Sequence, residues 1–327
     1  MEEKGRIGIP KALMYYRYFP LWRTFFQELG WRVKVSDGLR KTGKIIYFED
    51  SCLPMKLLVT HAVSLKDQVD FLFVPRLVSL HRTFIMCPKF RGAPDIVRLA
   101  TEGHLPLINE TVDLRTGRDA LLQSFLRIGE KLGASNQEAR WAFRKGEEAY
   151  SKFKKESNDR INRLPLKDLY QLDIPTPSEG KRSILKVAFI GHPYNLFDQD
   201  INKDVLTITK QLGMEILTPD RLSDQEIDRE ISDLSKEIYW SSGREIVGAL
   251  FHFLKGGVNG VVFLTSFKCG IDALLQEFIK RSLKIREEPS LPFLILSFDE
   301  HTGREGLVTR LEAFKDVMEQ RKSPNNQ

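Results

Sequence analysis

The stretch Leu185-Lys186-Val187-Ala188-Phe189-Ile190-Gly191-His192-Pro193-Tyr194 decides the fold. Its apolar run from Leu185 to Ile190 reads as a strand, and Gly191 and Pro193 then punctuate the chain. A helical pattern follows from Asp204 to Leu212. The N-terminal end repeats this order. Arg6-Ile7-Gly8-Ile9 reads as a strand and Pro10 breaks it; a helix from Ala12 to Leu29 then closes at Gly30. The two halves restart with one grammar: strand, turn containing Gly, Pro or an aromatic, helix.

Between these anchors, strands are expected at Trp31–Val35, Lys44–Phe48, Asp70–Val74, Phe84–Met86, Pro106–Ile108, Glu215–Leu217, Gly260–Leu264 and Phe293–Ser297. Helical patterns cover the stretch after Pro54 to Leu65, Asp95–Ala100, Ala120–Leu132, Gln137–Asn158, Ser242–Leu254, Ile271–Lys280 and Gly306–Gln320. Such alternation predicts an α/β protein with two doubly wound, mainly parallel-sheet lobes, a cleft between them and a helical connection. The N-terminal lobe with its helical extension spans 1–163. Pro165, Pro175 and Pro177 mark a linker over 164–182. The C-terminal lobe spans 183–321, and a disordered polar tail is expected over 322–327.

The chain has 327 residues, of which 42% are hydrophobic and 29% charged, values that exclude a mostly disordered protein. A net charge of +6 is mild for this length. Its most basic aromatic stretch, Arg140 to Arg163, alternates acidic with basic residues and reads as a solvated helix face, so no nucleic-acid partner is expected. No apolar run approaches the roughly 18 residues of a membrane span, and Met1-Glu2-Glu3-Lys4 does not open a signal peptide. A cytoplasmic protein without membrane association is expected. Neither a P-loop nor a GxGxxG turn is present, which argues against ATP hydrolysis by this chain.

Three cysteines, Cys52, Cys87 and Cys269, are too few for a disulfide scaffold. Each falls after an expected strand, beside a proline or glycine, near a helix start. Unpaired N–H groups at a helix N-terminus favour the thiolate, the form that a soft metal or an iron–sulfur cluster takes. The bland alternative is three buried, inert thiols, and no CxxC spacing argues against it. His61 could line the same region or be a core histidine. The turn at Gly191-His192-Pro193-Tyr194-Asn195 is placed for substrate or phosphate contact. Asp299-Glu300-His301-Thr302-Gly303 could do acid/base work, or it could cap the helix that follows.

Taken together, several blocks carry a resemblance: Ile7-Gly8-Ile9-Pro10 with Ala12-Leu13-Met14-Tyr15-Tyr16, Cys52-Leu53-Pro54-Met55-Lys56 with His61, Val74-Pro75-Arg76, and Cys87-Pro88-Lys89-Phe90 with Pro94-Asp95. Gly191-His192-Pro193-Tyr194-Asn195, Ser266-Phe267-Lys268-Cys269 and Asp299-Glu300-His301-Thr302-Gly303 with Thr309-Arg310-Leu311-Glu312-Ala313 continue it in order. The chain resembles the 2-hydroxyacyl-CoA dehydratase-related family, in its activase-associated DUF2229 branch. It departs from that pattern at Thr60, where Gly is expected, and at Gly270-Ile271-Asp272, where relatives tend to carry Pro.

The resemblance implies a [4Fe–4S] cluster held by Cys52, Cys87 and Cys269, with one iron left open. It implies electron delivery by an ATP-hydrolysing activase of the actin/Hsp70-like superfamily. The activity implied is one-electron dehydration or reduction of a small, CoA-linked or other, substrate. Lys56, Arg76, Lys89 and His192 are candidates for stabilising charge in the cleft. Two rivals stand beside this reading: a cluster-carrying electron relay or scaffold for the activase, and a small-molecule-binding protein with inert cysteines. A homodimer or a heteromer is compatible with either.

Overall fold

The computed structural model describes residues 4–37, 39, 44–46, 48–157, 185–232, 234, 238–285 and 291–322. The chain divides into two compact units, Met1–Lys155 with Glu237–Ser242, and Glu156–Lys236 with Gly243–Gln327. The expected linker 164–182 lies outside the described residues. So does the expected tail beyond Lys322, the residue that ends the last helix.

The first unit runs β1 (Arg6–Ile9), α1 (Tyr15–Glu28), β2 (Arg32–Val35), α2 (Leu53–Ser64), β3 (Phe71–Phe73), β4 (Arg76–Ser79), α3 (Pro88–Ala100), β5 (Leu107–Ile108), β6 (Thr111–Asp113), α4 (Ala120–Lys131) and α5 (Asn136–Ser157). Its main sheet has the order β2-β1-β3-β5, and every pairing is parallel. A separate parallel pair joins β4 to β6. Helix α1 buries Leu21, Trp22, Phe25 and Phe26. Trp22 and Phe26 meet Phe73 edge-to-face at 5.2 and 5.1 Å, which fixes the helix on the sheet. Ile85 forms a parallel bridge with Trp240, so a late piece of the chain extends this unit beside Phe84–Met86.

The second unit runs β7 (Lys186–Gly191), α6 (Pro193–Phe197), α7 (Gln199–Asn202), α8 (Val205–Gln211), β8 (Glu215–Leu217), α9 (Asp224–Ile231), α10 (Ser241–Lys255), β9 (Gly260–Ser266), α11 (Gly270–Ile285), β10 (Phe293–Phe298) and α12 (Arg304–Lys322). The sheet order is β8-β7-β9-β10, again all parallel. All seven residues of β9 are buried, as expected of a central strand covered on both faces.

The α/β class with parallel sheets therefore agrees with the sequence reading. One expected strand departs from it. Among the described residues of Lys44–Phe48 the chain is irregular. The Ile46 N–H donates to Thr60 Oγ1 on α2 at 2.9 Å, so a side chain satisfies the backbone group that a strand neighbour would have taken. In both sheets the first strand lies between the second and the third. Crossovers thus leave it in opposite directions, and the crevice at the carboxyl ends of β1/β3 and of β7/β9 is where such sheets hold ligands.

Candidate metal centre

In the second unit this crevice is lined by titratable side chains. Gly191 ends β7 with φ +154°, and a Cβ there would lie 2.7 Å from the Leu264 carbonyl oxygen of β9. Glycine alone permits that approach. His192 follows as the N-cap of α6, with Pro193 setting the first helical φ. Asn195 of α6 donates through Nδ2 to Leu264 O at 3.2 Å and accepts from Ser266 Oγ at 2.8 Å, locking the turn onto the end of β9.

Beyond β9, Lys268 adopts the left-handed region at φ +65°, and the chain reverses into α11. The Cys269 N–H donates to Ser266 O at 3.0 Å, while Cys269 O accepts from Ala273 N at 3.1 Å as the first acceptor of the helix. Asp272, in the first turn, accepts the Ser266 N–H through Oδ2 at 3.3 Å. Its other oxygen, Oδ1, lies 2.8 Å from His192 Nε2, and both side chains are almost fully buried. The His192 ring stacks on Tyr194 with centroids 4.8 Å apart and planes 11° from parallel.

One ligand atom each from His192, Cys269 and Asp272 lies within 4.8 Å of the other two. Nitrogen, sulfur and carboxylate oxygen together suit a borderline divalent cation, and three such side chains leave a coordination position open. Burial pushes the His192 imidazole toward its neutral form. The facing Asp272 carboxylate and then Cys269 outweigh that and hold the pKa well above the ordinary histidine value.

In the first unit the other two cysteines occupy the same station. Cys52 is the buried N-cap of α2, with Pro54 in the first turn, and its carbonyl accepts the Met55 and Lys56 N–H groups. Cys87 is the N-cap of α3, directly before Pro88, and its carbonyl accepts the Phe90 N–H. The Met86 N–H donates to Val78 O and anchors this start on β4. Helices α2 and α3 pack together, and Lys89 Nζ donates to Asp50 O at 3.1 Å, tying the two helix starts to each other. No disulfide involves any of the three cysteines.

The remaining candidates separate in role. Lys56 is buried on α2, one turn beyond Cys52. Arg76 directs its guanidinium at Asp95 of α3, with contacts of 2.8 and 3.0 Å, and donates to Arg91 O as well. His61 is buried with Nδ1 2.7 Å from Ser36 Oγ, and Ser36 also accepts the Lys11 N–H. Asp299 closes a local turn ahead of α12, accepting from Thr302 Oγ1 at 2.8 Å and from the His301 N–H at 3.0 Å. Both contacts are local to the turn itself. Asp272 was the residue that sequence reasoning missed; its signal was an acidic side chain one turn past Cys269 in the turn where the family pattern breaks.

The sequence matches the family described as CoA enzyme activase uncharacterised domain (DUF2229) over residues 6–222. That span includes Cys52, Cys87 and His192, whereas Cys269 and Asp272 lie beyond it. No curated protein matches the chain. Among the described residues, no helix is long and apolar enough to cross a membrane.

Proposed function

The chain belongs to this CoA enzyme activase domain family, and on that premise we propose that it is an activase-dependent iron–sulfur protein of the 2-hydroxyacyl-CoA dehydratase type. Its [4Fe–4S] cluster is held by Cys52, Cys87 and Cys269, with one iron open to a small, CoA-linked or related substrate. The partner is an ATP-hydrolysing activase of the actin/Hsp70-like superfamily. One observation carries the reading. All three cysteines of the sequence stand immediately before the first residue of a helix.

The donor set fits the group. Each helix start presents a partial positive charge toward its cysteine, which favours the thiolate that iron binds. Three sulfur ligands fill three corners of a cubane and leave the fourth iron without a protein ligand. Cations also stand close in sequence: Lys56 and Lys89 in the first turns of α2 and α3, and Lys268 beside Cys269. Bound there, the cluster supplies one-electron chemistry that amino-acid side chains lack. The chain's own contributions are to orient the three thiolates, to offset their negative charge, and to keep a proton on His192 against Asp272.

Anaerobic purification tests this. A brown protein with about four irons per chain, an EPR signal on reduction, and loss of both in Cys52→Ser, Cys87→Ser or Cys269→Ser supports the proposal. A colourless protein whose thiols bind no iron on reconstitution refutes it. Activase, ATP and acyl-CoA substrates then separate the two forms of the reading. Turnover identifies an enzyme, and electron uptake without turnover identifies a relay.

A further inference from the structure

His192, Cys269 and Asp272 all belong to the second unit, where the pairing of β7 with β9 brings the end of one strand beside the helix that follows the other. One ligand atom from each lies within 4.8 Å of the other two. His192 Nε2 and Asp272 Oδ1 face each other at 2.8 Å, yet both are buried atoms without a hydrogen-bond partner. Buried polar atoms in that condition carry a desolvation cost that hydrogen bonding normally offsets, and a cation between the two would satisfy both. The neighbours hold them in place. Asp272 Oδ2 accepts the Ser266 N–H at 3.3 Å, which leaves Oδ1 for His192, and the Tyr194 ring stacks on the imidazole at 4.8 Å. Cys269 is only half-buried and the space beside Gly270 is open, so the group is reached from its sulfur side.

We infer that the second unit carries a mononuclear site for a divalent cation of the zinc class, held by His192, Cys269 and Asp272 with one position open on the Cys269 side. Imidazole nitrogen, thiolate and carboxylate are all ordinary zinc donors, and three of them leave a place for water. Donors on a tetrahedral zinc stand about 3.3–3.6 Å apart, so the 2.8 Å contact opens by about 0.5 Å and no other pair closes by more than about 1.5 Å. Tyr194 and the Ser266 N–H then serve as outer partners that orient two of the ligands. This site does not rest on the cluster reading, whose ligands include Cys52 and Cys87 of the first unit. The two meet at Cys269, and its thiolate is committed to one or the other, so zinc here and a complete cluster exclude each other.

Titration of the full-length, metal-free chain with Co2+ and then Zn2+, under anaerobic and reducing conditions, tests this. Co2+ should bind at about one ion per chain with a thiolate-to-cobalt charge-transfer band, and Zn2+ should bleach that band. The double variant Cys52→Ser with Cys87→Ser should titrate as wild type does. Cys269→Ser, His192→Phe and Asp272→Asn should each weaken binding by about 100-fold or more. In the wild-type chain labelled with 15N-histidine, Zn2+ should move the His192 imidazole resonances and leave those of the buried His61 in place, a readout that needs no variant to fold. A wild-type chain without the cobalt band, an unmoved His192, loss of the band in the double variant, or unchanged binding in Cys269→Ser overturns the inference. The cluster reading fails separately. A chain that takes Zn2+ in this way but never takes up iron keeps this site and refutes the cluster, and one that takes up iron but shows no such cobalt site does the reverse.

Discussion

His192 Nε2 stands 2.8 Å from Asp272 Oδ1, with both side chains all but removed from solvent. Burial alone would drive the imidazole to its neutral form, and the facing carboxylate, followed by the Cys269 contact, reverses that. In Asp272→Asn only Cys269 is left to oppose burial, so the His192 midpoint falls, as an NMR titration of the imidazole will show. The sign for stability follows from the raised folded-state pKa. The pair contributes fully below the unfolded histidine value of about 6.5 and loses its contribution as pH rises through the folded value. Asp272→Asn should therefore cost about 2 kcal/mol or more near pH 6. Chemical denaturation across pH should find the gap to wild type narrowing in alkali.

Gly191 sets the position from which His192 reaches that carboxylate. At φ +154°, with a would-be Cβ 2.7 Å from Leu264 O, no side chain fits without moving β7 from β9. Gly191→Ala is expected to cost about 3 kcal/mol, read as a lower urea midpoint at constant m-value. It should also shift the His192 imidazole resonances, because the turn is displaced with the strand. A folded variant with wild-type stability would mean that the strand contact is looser than its geometry states.

Much of this arrangement was legible in the chain. Val187–Ile190 and Val261–Leu264 are unbroken apolar runs, and such runs have few fates in an α/β protein other than central strands. The pair β4 and β6 was not legible. Arg76-Leu77-Val78-Ser79 and Thr111-Val112-Asp113 are short and partly polar, and they gain strand form only by finding each other. Helices α6 and α7, of five and four residues, are too short to show a 3.6-residue period. Lys44–Phe48 misled in the other direction. Its β-type residues signal a strand, but the Ile46 N–H is taken by Thr60, a contact no local pattern announces. For the site, the sequence placed His192 and Cys269 each at a strand end. Their meeting with Asp272 depends on β7 lying beside β9, which is a property of strand order and not of spacing.

Glu110, between β5 and β6, offers a pH test in the first unit. Its carboxylate is mostly buried and meets Lys131 Nζ at 2.7 Å and Arg127 Nε at 2.5 Å, both from α4. Burial works to raise its pKa, but the Lys131 and Arg127 hydrogen bonds prevail and hold it below the ordinary glutamate value. A depressed folded-state pKa gives stability that is present above the unfolded value, about 4.3, and lost as pH falls through the folded one. Glu110→Gln should cost about 0.5–1 kcal/mol at neutral pH, the modest size reflecting half-exposed partners. Thermal melts should show the difference shrinking in acid, and shrinking with added salt at neutral pH.

Arg76 separates fold from function among the basic residues near the cysteines. Its guanidinium makes a two-point contact with Asp95, the geometry in which arginine most resists replacement by lysine. The contact clamps β4 to α3, the helix that Cys87 begins, so the charge is committed to the fold. Both partners are partly exposed, and solvent screening keeps the contribution small. Arg76→Ala is expected to lower stability by about 0.5–1 kcal/mol and to leave iron per chain at the wild-type level. Cys87→Ser, measured in the same reconstitution, should lose the iron. If Arg76→Ala also loses it at a temperature where the variant is fully folded, the cation acts on the metal centre and not only on Asp95.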